Sequence, residues 1–343
     1  MELALVMLAA TVTVAPLAIR RIGDNLEPFL FVAGVAAVTF ASRWSWKLVQ
    51  ETLRAPLSIT AAVLGAGALF YLLQRPLERG LGWLKGRVDA RVLVVGTIAV
   101  VGFLSSFLTA VIASLVMVEA VKRLALEKRT ESAVVVLACF SIGLGAALTP
   151  FGEPLAAVAI SRLSDAPYHA GTWFLLETLG MYVTPGILLV SVASLFFVRE
   201  AMPPSAAGAG DRRETLVGAL VRAGKVYLFV VGLLLLGAGF TPLISRLVSS
   251  VPWPVLFWAN LSSAVLDNAT LTATEIVPSM TSHQLVAALM GLLIAGGMLV
   301  PGNLPNVIAA GRLGIDSRTW ARIGVPVGLG MMAATCAALA LGG

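Results

Sequence analysis

The sequence predicts an all-α polytopic membrane protein built from two inverted repeats, each with a re-entrant hairpin and a broken transmembrane helix. Composition, a duplicated pair of motifs and the placement of basic residues predict it. The 343 residues are 58% hydrophobic and 12% charged, whereas soluble domains carry about 25% charge. Apolar runs of about 20 residues, the length that crosses a bilayer, recur throughout.

The duplication is short but ordered. Leu104-Ser105-Ser106 is followed 46 residues after Ser106 by Gly152, in Gly-Glu-Pro-Leu. Leu261-Ser262-Ser263 is followed 39 residues after Ser263 by Gly302, in Gly-Asn-Leu-Pro. Gly152, Ala159, Arg162 and Leu163 match Gly302, Ala309, Arg312 and Leu313 at a fixed offset of 150. Paired, interrupted apolar segments in two halves of a membrane protein point to a substrate site between them.

Along the chain, residues 1–19 read as a first spanning helix. No basic residue precedes them and no small-residue cleavage site follows, which argues against a signal peptide. Further spanning helices are expected near 27–42, 55–74, 132–163, 169–198, 224–247, 284–313 and 319–341. Two apolar stretches remain, 92–121 and 253–279. Arg75, Arg79, Lys85, Arg87 and Arg91 precede the first, and Lys122, Arg123, Lys128 and Arg129 follow it. Basic flanks are cytoplasmic, so this segment enters and returns, with its tip near 105–109. The second stretch has charge-poor flanks and reads as a hairpin entering from outside. Of the 24 Lys and Arg residues, only Arg43, Lys47, Arg54, Arg162 and Arg246 then fall outside. Eight crossings place both termini outside, and 43–54 reads as an outer loop.

The organisation follows: N-terminal scaffold helices over 1–54, a first repeat over 55–200, a linker and cytoplasmic loop over 201–223, and a second repeat over 224–343. Within the linker, 201–211 is small, flexible and polar. Trp44, Trp46, Trp173 and Trp253 read as interfacial anchors at the outer boundary, and Trp83 and Trp320 at the inner one. Cys139 and Cys336 lie in apolar runs, which argues against a disulfide or metal pair. The net charge of +6 sits in loops and reports topology, not nucleic-acid binding.

Hairpin tips and helix breaks leave backbone groups unpaired, tolerable at depth only where they line a cavity or bind something. Ser105, Ser106 and Thr109 supply hydroxyls at the first tip. Ser262, Ser263, Asn268, Thr270 and Thr272 supply polar groups at the second. Packing of small residues between helices is the competing reading of such positions; duplication favours a site. Asp267 follows about a dozen apolar positions, where a carboxylate costs roughly 2.5–3.5 kcal/mol on insertion scales and marks an ion or proton path. No Lys or Arg sits in a mid-membrane segment to pair with it. Glu153, in Thr-Pro-Phe-Gly-Glu-Pro, sits in the break of 132–163, and Asn303 is its mate. A helix cap at the outer surface is the alternative for Glu153. Glu119 is expected to pair with Lys122 or Arg123 at helical spacing. Glu275 has no near partner in sequence and reads as a candidate lining an outer vestibule; Glu177 reads as a weaker cavity candidate. His169 and His283 read as solvated interfacial residues, too few for a zinc site.

Ser-Ser-Ala-Val-Leu-Asp-Asn-Ala-Thr and Pro-Gly-Asn-Leu-Pro-Asn-Val-Ile-Ala resemble the second-repeat motifs of the ion transporter superfamily. That group holds D-type sodium/proton antiporters, arsenite permeases and citrate or dicarboxylate carriers. The short length and Thr-Pro-Phe-Gly-Glu-Pro look closest to its predicted cation transporter branch. The resemblance spans nearly the whole chain. It implies a homodimer with a scaffold domain and a mobile transport domain. It also implies ion sites where each tip meets the following broken helix: Ser105, Ser106 and Thr109 with Gly152 and Glu153, and Ser262, Ser263, Asp267, Asn268 and Thr270 with Gly302 and Asn303. No Asn follows Ser106, a departure from the usual Ser-Asn-Thr pattern at a first, dicarboxylate-type sodium site.

These readings converge on a secondary active transporter of a small monovalent cation in a prokaryotic cytoplasmic (inner) membrane. The cation, bound at Asp267, Asn268, Ser263 and Glu153, exchanges for protons, with Na⁺ and protons as coupling ions and no other cofactor. Deprotonation at depth is uphill unless a cation compensates it, which links the two. An anion carrier of arsenite or carboxylate type is the alternative, since hairpin helix N-termini favour anions. A channel is a further alternative. An enzyme is not expected: there is no His-Glu-x-x-His motif, no Ser-His pair at depth and no pair of mid-membrane Asp residues.

Overall fold

A computed structural model describes residues 2–23, 25–54, 57, 88–124, 126–198, 224, 227–232, 234–240, 251–266 and 268–342. The expected helix 55–74 (apart from Leu57), the basic flank 75–87 with Trp83, the linker 201–223 and Asp267 lie outside the described residues. The described residues are helical, with no strand among them. Three of their helices are long and apolar enough to cross a membrane: Lys128–Ala146, Phe174–Phe196 and Ser317–Leu341.

Two helices form the centre. Residues 131–146 of Lys128–Ala146 are all buried, as are residues 285–296 of Ser282–Gly296. A helix apolar on every side belongs inside a protein, and these two touch each other. The Phe140 ring lies where a Cβ on Gly297 would sit. Each central helix precedes a break, after which the chain resumes as Pro154–Arg162 and Leu304–Leu313.

Around this centre the two halves make matching contacts. Ala90–Leu104 runs along Lys128–Ala146, and Trp253–Ala259 with the 3₁₀ turn Asn260–Ala264 runs along Ser282–Gly296. The next helix in each half crosses to the other half. Ala110–Leu124 packs on Leu304–Leu313, and Asn268–Glu275 packs on Pro154–Arg162. The contacts at the ends correspond as well. Arg123 is 2.7 Å from Glu119, as i,i+4 spacing predicts, and Arg312 at the end of Leu304–Leu313 is within electrostatic reach of the same carboxylate. At the opposite pairing, Arg162 donates from Nη2 to the Ala273 carbonyl and the Tyr168 hydroxyl donates to Met280 O at 2.6 Å.

Phe174–Ala193 and Ser317–Leu341 pack against the centre on one side only. Leu176, Met181, Leu188, Leu189 and Val192 remain exposed on the first, an apolar face suited to lipid. Leu26–Phe40 packs closely on the helical residues 227–232 and 234–240: a Cβ on Gly34 would stand 2.6 Å from Gly232 O. Small residues at such contacts let helix backbones approach.

Two expectations are corrected. Residues 46–54, expected as an outer loop, are helical. Lys47 and Glu51, 3.8 Å apart, stand at i,i+4 on that turn, and Tyr227 donates to Leu53 O at 3.0 Å. Trp320, expected at an interface, is fully buried, and its Nε1 donates to Gly297 O at 3.2 Å. The carbonyl freed by the second break supplies, inside the protein, the acceptor that water supplies at an interface.

Candidate functional site

The first break begins because Pro150 removes an amide donor and disfavours helix at Thr149. The helix caps at Ala147 and restarts with Pro154 in its first turn. The second caps at Gly297 and restarts at Leu304. Ala147 and Gly297 are 150 residues apart, as are Glu153 and Asn303. Glu153 has φ −153° and ψ 160°; Asn303 has φ −151° and ψ 148°. A Cβ on Gly152 would collide with Ala146 O, and one on Gly302 would sit 2.5 Å from Gly296 O. The two breaks therefore share one local geometry, and each needs a glycine where the chain folds back over the last turn of the preceding helix.

The first tip is bonded to that last turn. Ser105 Oγ lies 2.6 Å from Gly102 O and 2.9 Å from Ile142 O, and Ser106 Oγ donates to Gly145 O at 2.8 Å. Thr149 donates to Ser106 O, and Ala110 N donates to Gly152 O at 2.8 Å. Ser105 and Ser106 are buried, while Thr109 is exposed and its Oγ1 accepts from Ile112 N at 3.3 Å as the cap of the following helix. Glu153 is 5% exposed, and its side chain makes no cap bond to the helix it precedes. A surface cap is therefore not its role.

The second tip meets the second break. Ser263 O and Ala264 O stand 2.8 Å and 3.0 Å from the Cβ position of Gly302. Ser263 and Asn268 are buried; Ser262 is exposed. Ser263 Oγ and Asn268 Nδ2 have no hydrogen-bond partner among the described residues. Both lie near the Cβ position of Gly296, at 3.6 Å and 3.7 Å. Thr272 Oγ1 donates back to Asn268 O at 2.8 Å, which leaves it no hydrogen for a ligand. Asp267 sits between these groups in sequence, and of Thr270 the helical backbone alone is described.

Asn303 joins the two halves. It is buried, and its Nδ2 stands 3.0 Å from the Cβ position of Gly143, in the helix turn that holds Ser105 and Ser106. The structure thus gathers Ser105, Ser106, Gly152 and Glu153 at one break, Ser263, Asn268, Gly302 and Asn303 at the other, and brings Asn303 to the first. Thr109 and Ser262 stand at the periphery.

Four residues not weighed as ligands support or extend this site. Asn306 is fully buried and its Nδ2 donates to Gly296 O and Leu299 O, both at 2.8 Å, holding the second break open. Trp320 secures Gly297 O. Asn260 and Glu275, both buried, hydrogen-bond to each other between the 3₁₀ turn Asn260–Ala264 and the end of Asn268–Glu275. The sequence signal for the two Asn residues was a polar amide inside an apolar run. Glu275 is not in an exposed vestibule, and Glu177 is exposed. His169 is exposed, and the His283 ring lies edge-on to Trp253 at 4.7 Å. Among the described residues no group of three His, Cys, Asp or Glu is placed to hold a metal ion.

Residues 2–341 match the family described as "Protein of unknown function (DUF1646)". No curated protein matches the chain.

Proposed function

The chain belongs to the DUF1646 family, and we propose that it is a membrane transporter that exchanges a small monovalent cation for protons by alternating access. The observation that carries this reading is a pair of buried, unpartnered polar atoms beside the second break. Ser263 Oγ and Asn268 Nδ2 have no partner among the described residues, and Asp267 lies between them in sequence. Leaving a buried polar group unsatisfied costs about 1–3 kcal/mol, so such a pair favours a ligand beside it. Asp267 supplies the charge, Ser263 and Asn268 supply polar contacts, and Glu153 supplies a second carboxylate at the equivalent break. A carboxylate at depth can hold either a proton or a cation, and that alternation couples the two fluxes.

The same reading makes the two halves inverted repeats with re-entrant hairpins. Matching contacts, matched breaks and the exchange of second arms support it. So does length: a fifteen-residue arm such as Ala90–Leu104 rises about 22 Å, short of the roughly 30 Å hydrocarbon core. On this reading the protein sits in the prokaryotic inner membrane, with both termini outside, as a homodimer of scaffold and mobile transport domains.

A second reading is an anion carrier. The unpartnered Asn268 Nδ2 is a donor, and two helices, Asn268–Glu275 and Leu304–Leu313, begin beside it. Purified protein in liposomes, with a pH dye and gradients of Na⁺, K⁺ or Li⁺, separates the two. Asp267→Asn keeps size and polarity and should abolish cation-driven proton movement. Full retention of that movement by Asp267→Asn would move the anion reading ahead.

A further inference from the structure

We propose that Glu275, hydrogen-bonded by Asn260, is a second proton-carrying site of the transporter, separate from the cation ligands at the hairpin tip. The inference rests on the exchange reading and extends it.

Glu275 ends the second arm of the second hairpin, seven residues beyond Asn268, about 10 Å along a helix. It is 3% exposed, and Oε2 has no hydrogen-bond partner among the described residues. Its other tie is to the side chain of Asn260. Asn260 is held in turn, its Nδ2 donating to Ala288 O at 2.9 Å on the central helix. Asn260 stands three residues before Ser263, whose hydroxyl is buried without a partner among the described residues. Polar atoms thus line the inside of the hairpin from Glu275 through Asn260 to Ser263 and Asn268.

A structural carboxylate at depth is paired with a base or fully hydrogen-bonded. Glu275 is neither among the described residues. The charged and titratable groups on the helices packed against its arm are few. Pro154–Arg162 brings Arg162, whose Nη2 is committed to Ala273 O, and Glu153 precedes its first turn. Ser282–Gly296 brings His283, held against Trp253. Trp253–Ala259 and Asn260–Ala264 bring none, and Asp267 lies on the same hairpin. One amide and no committed cation among the described residues leave Oε2 open to a proton. The step is simple: an O–H bond forms on Glu275 with a proton from water on one side, and that bond breaks to release the proton on the other. Because Glu275 and the tip share one hairpin, movement of the hairpin carries both.

The test is the proton-to-cation ratio, read from the gradient at which flux reverses in liposomes. Glu275→Gln keeps the shape and the bond to Asn260. The variant should remain monodisperse, still transport the cation, show a lower ratio, and lose a titration step from the pH profile. Glu275→Asp should keep the wild-type ratio. Infrared difference spectra of wild type against Glu275→Gln should show a protonated-carboxyl band that titrates with pH, a readout that does not need flux. An unchanged ratio and profile in Glu275→Gln, or a band that does not respond to pH, overturns the role of Glu275 and leaves the exchange reading standing. A wild type that moves no proton with any of the three cations overturns the exchange reading, and this role with it.

Discussion

Asn303 lies against Gly143. Its amide nitrogen is 3.0 Å from the position a Cβ would take there. The contact ties the second break to the helix turn in which Ile142 O and Gly145 O hold the first tip. Movement at one break therefore meets the other through one glycine.

Gly143→Ala should displace Asn303 by a few tenths of an ångström. At that separation the side chain, not the backbone, must give way. The fold should survive, with an unchanged unfolding midpoint in detergent, while apparent cation affinity in liposomes falls several-fold. A wild-type affinity would show that Asn303 is not a ligand.

Gly145→Ala should be far more damaging than Gly102→Ala. A Cβ at Gly145 meets the backbone oxygen of Gly102, which cannot move without parting the arm from the central helix. A Cβ at Gly102 meets Ser141 Oγ, which can rotate at the loss of its 2.9 Å bond to Ile98 O. Overpacking of this kind costs about 1–3 kcal/mol, with Gly145→Ala at the upper end. Thermal unfolding of the two variants side by side checks the order.

Much of this was legible in the chain because proline and glycine punctuate it. Thr149-Pro150 and Gly152-Glu153-Pro154 located the first break, and the offset of 150 located the second. What stayed hidden depends on contacts between segments far apart in sequence. Glu275 has no partner at i±3 or i±4, since Asn260 reaches it from the other arm. Trp320 reads as an anchor until Gly297 O is found beside it. The 46–54 helix was masked by its three neighbouring cations, although Lys47 and Glu51 carry helical spacing.

Asn306 holds the second break open by donating to two carbonyls the break has freed. Asn306→Ala leaves both without that donor in a buried setting. The expected loss is about 1–3 kcal/mol, with reduced transport because Asn303 and Gly302 lie on the same turn. Asn306→Asp removes the donor and adds charge, so it should be worse. An alanine variant as stable as wild type would mean that water replaces the amide.

Asp316 offers a control away from the site. It caps Ser317–Leu341, accepting from Arg318 N and Thr319 N at 3.0 Å and from Thr319 Oγ1 at 2.7 Å. Partial burial pushes its carboxyl up, but the hydrogen bonds from Thr319 and Arg318 outweigh this and leave it below the usual carboxylate range. A lowered pKa gives stability that is present at neutral pH and lost as pH falls through the folded value. Asp316→Ala should cost about 1 kcal/mol at neutral pH and leave the proton-to-cation ratio unchanged. Asp316→Asn should remove the acid-dependent part of that loss. Melting curves from neutral to acid pH decide it.

Glu153 and Asn303 occupy equivalent backbone positions with nearly equal dihedrals, yet only one is ionisable. If the two breaks contributed equally, neutralising Glu153 would match the loss in Asp267→Asn. The unpartnered Ser263 Oγ and Asn268 Nδ2 cluster at the second break, whereas the hydroxyls of Ser105, Ser106 and Thr149 are spent on carbonyls. Those hydroxyls are fixed in orientation by the bonds they donate, whereas Ser263 Oγ is free to turn its lone pairs toward a cation. Glu153→Gln should weaken cation-driven proton movement by less than Asp267→Asn does, and Asn303→Asp should tighten cation binding by placing charge beside Gly143. Equal losses in Glu153→Gln and Asp267→Asn would instead assign the two carboxylates to one shared ion.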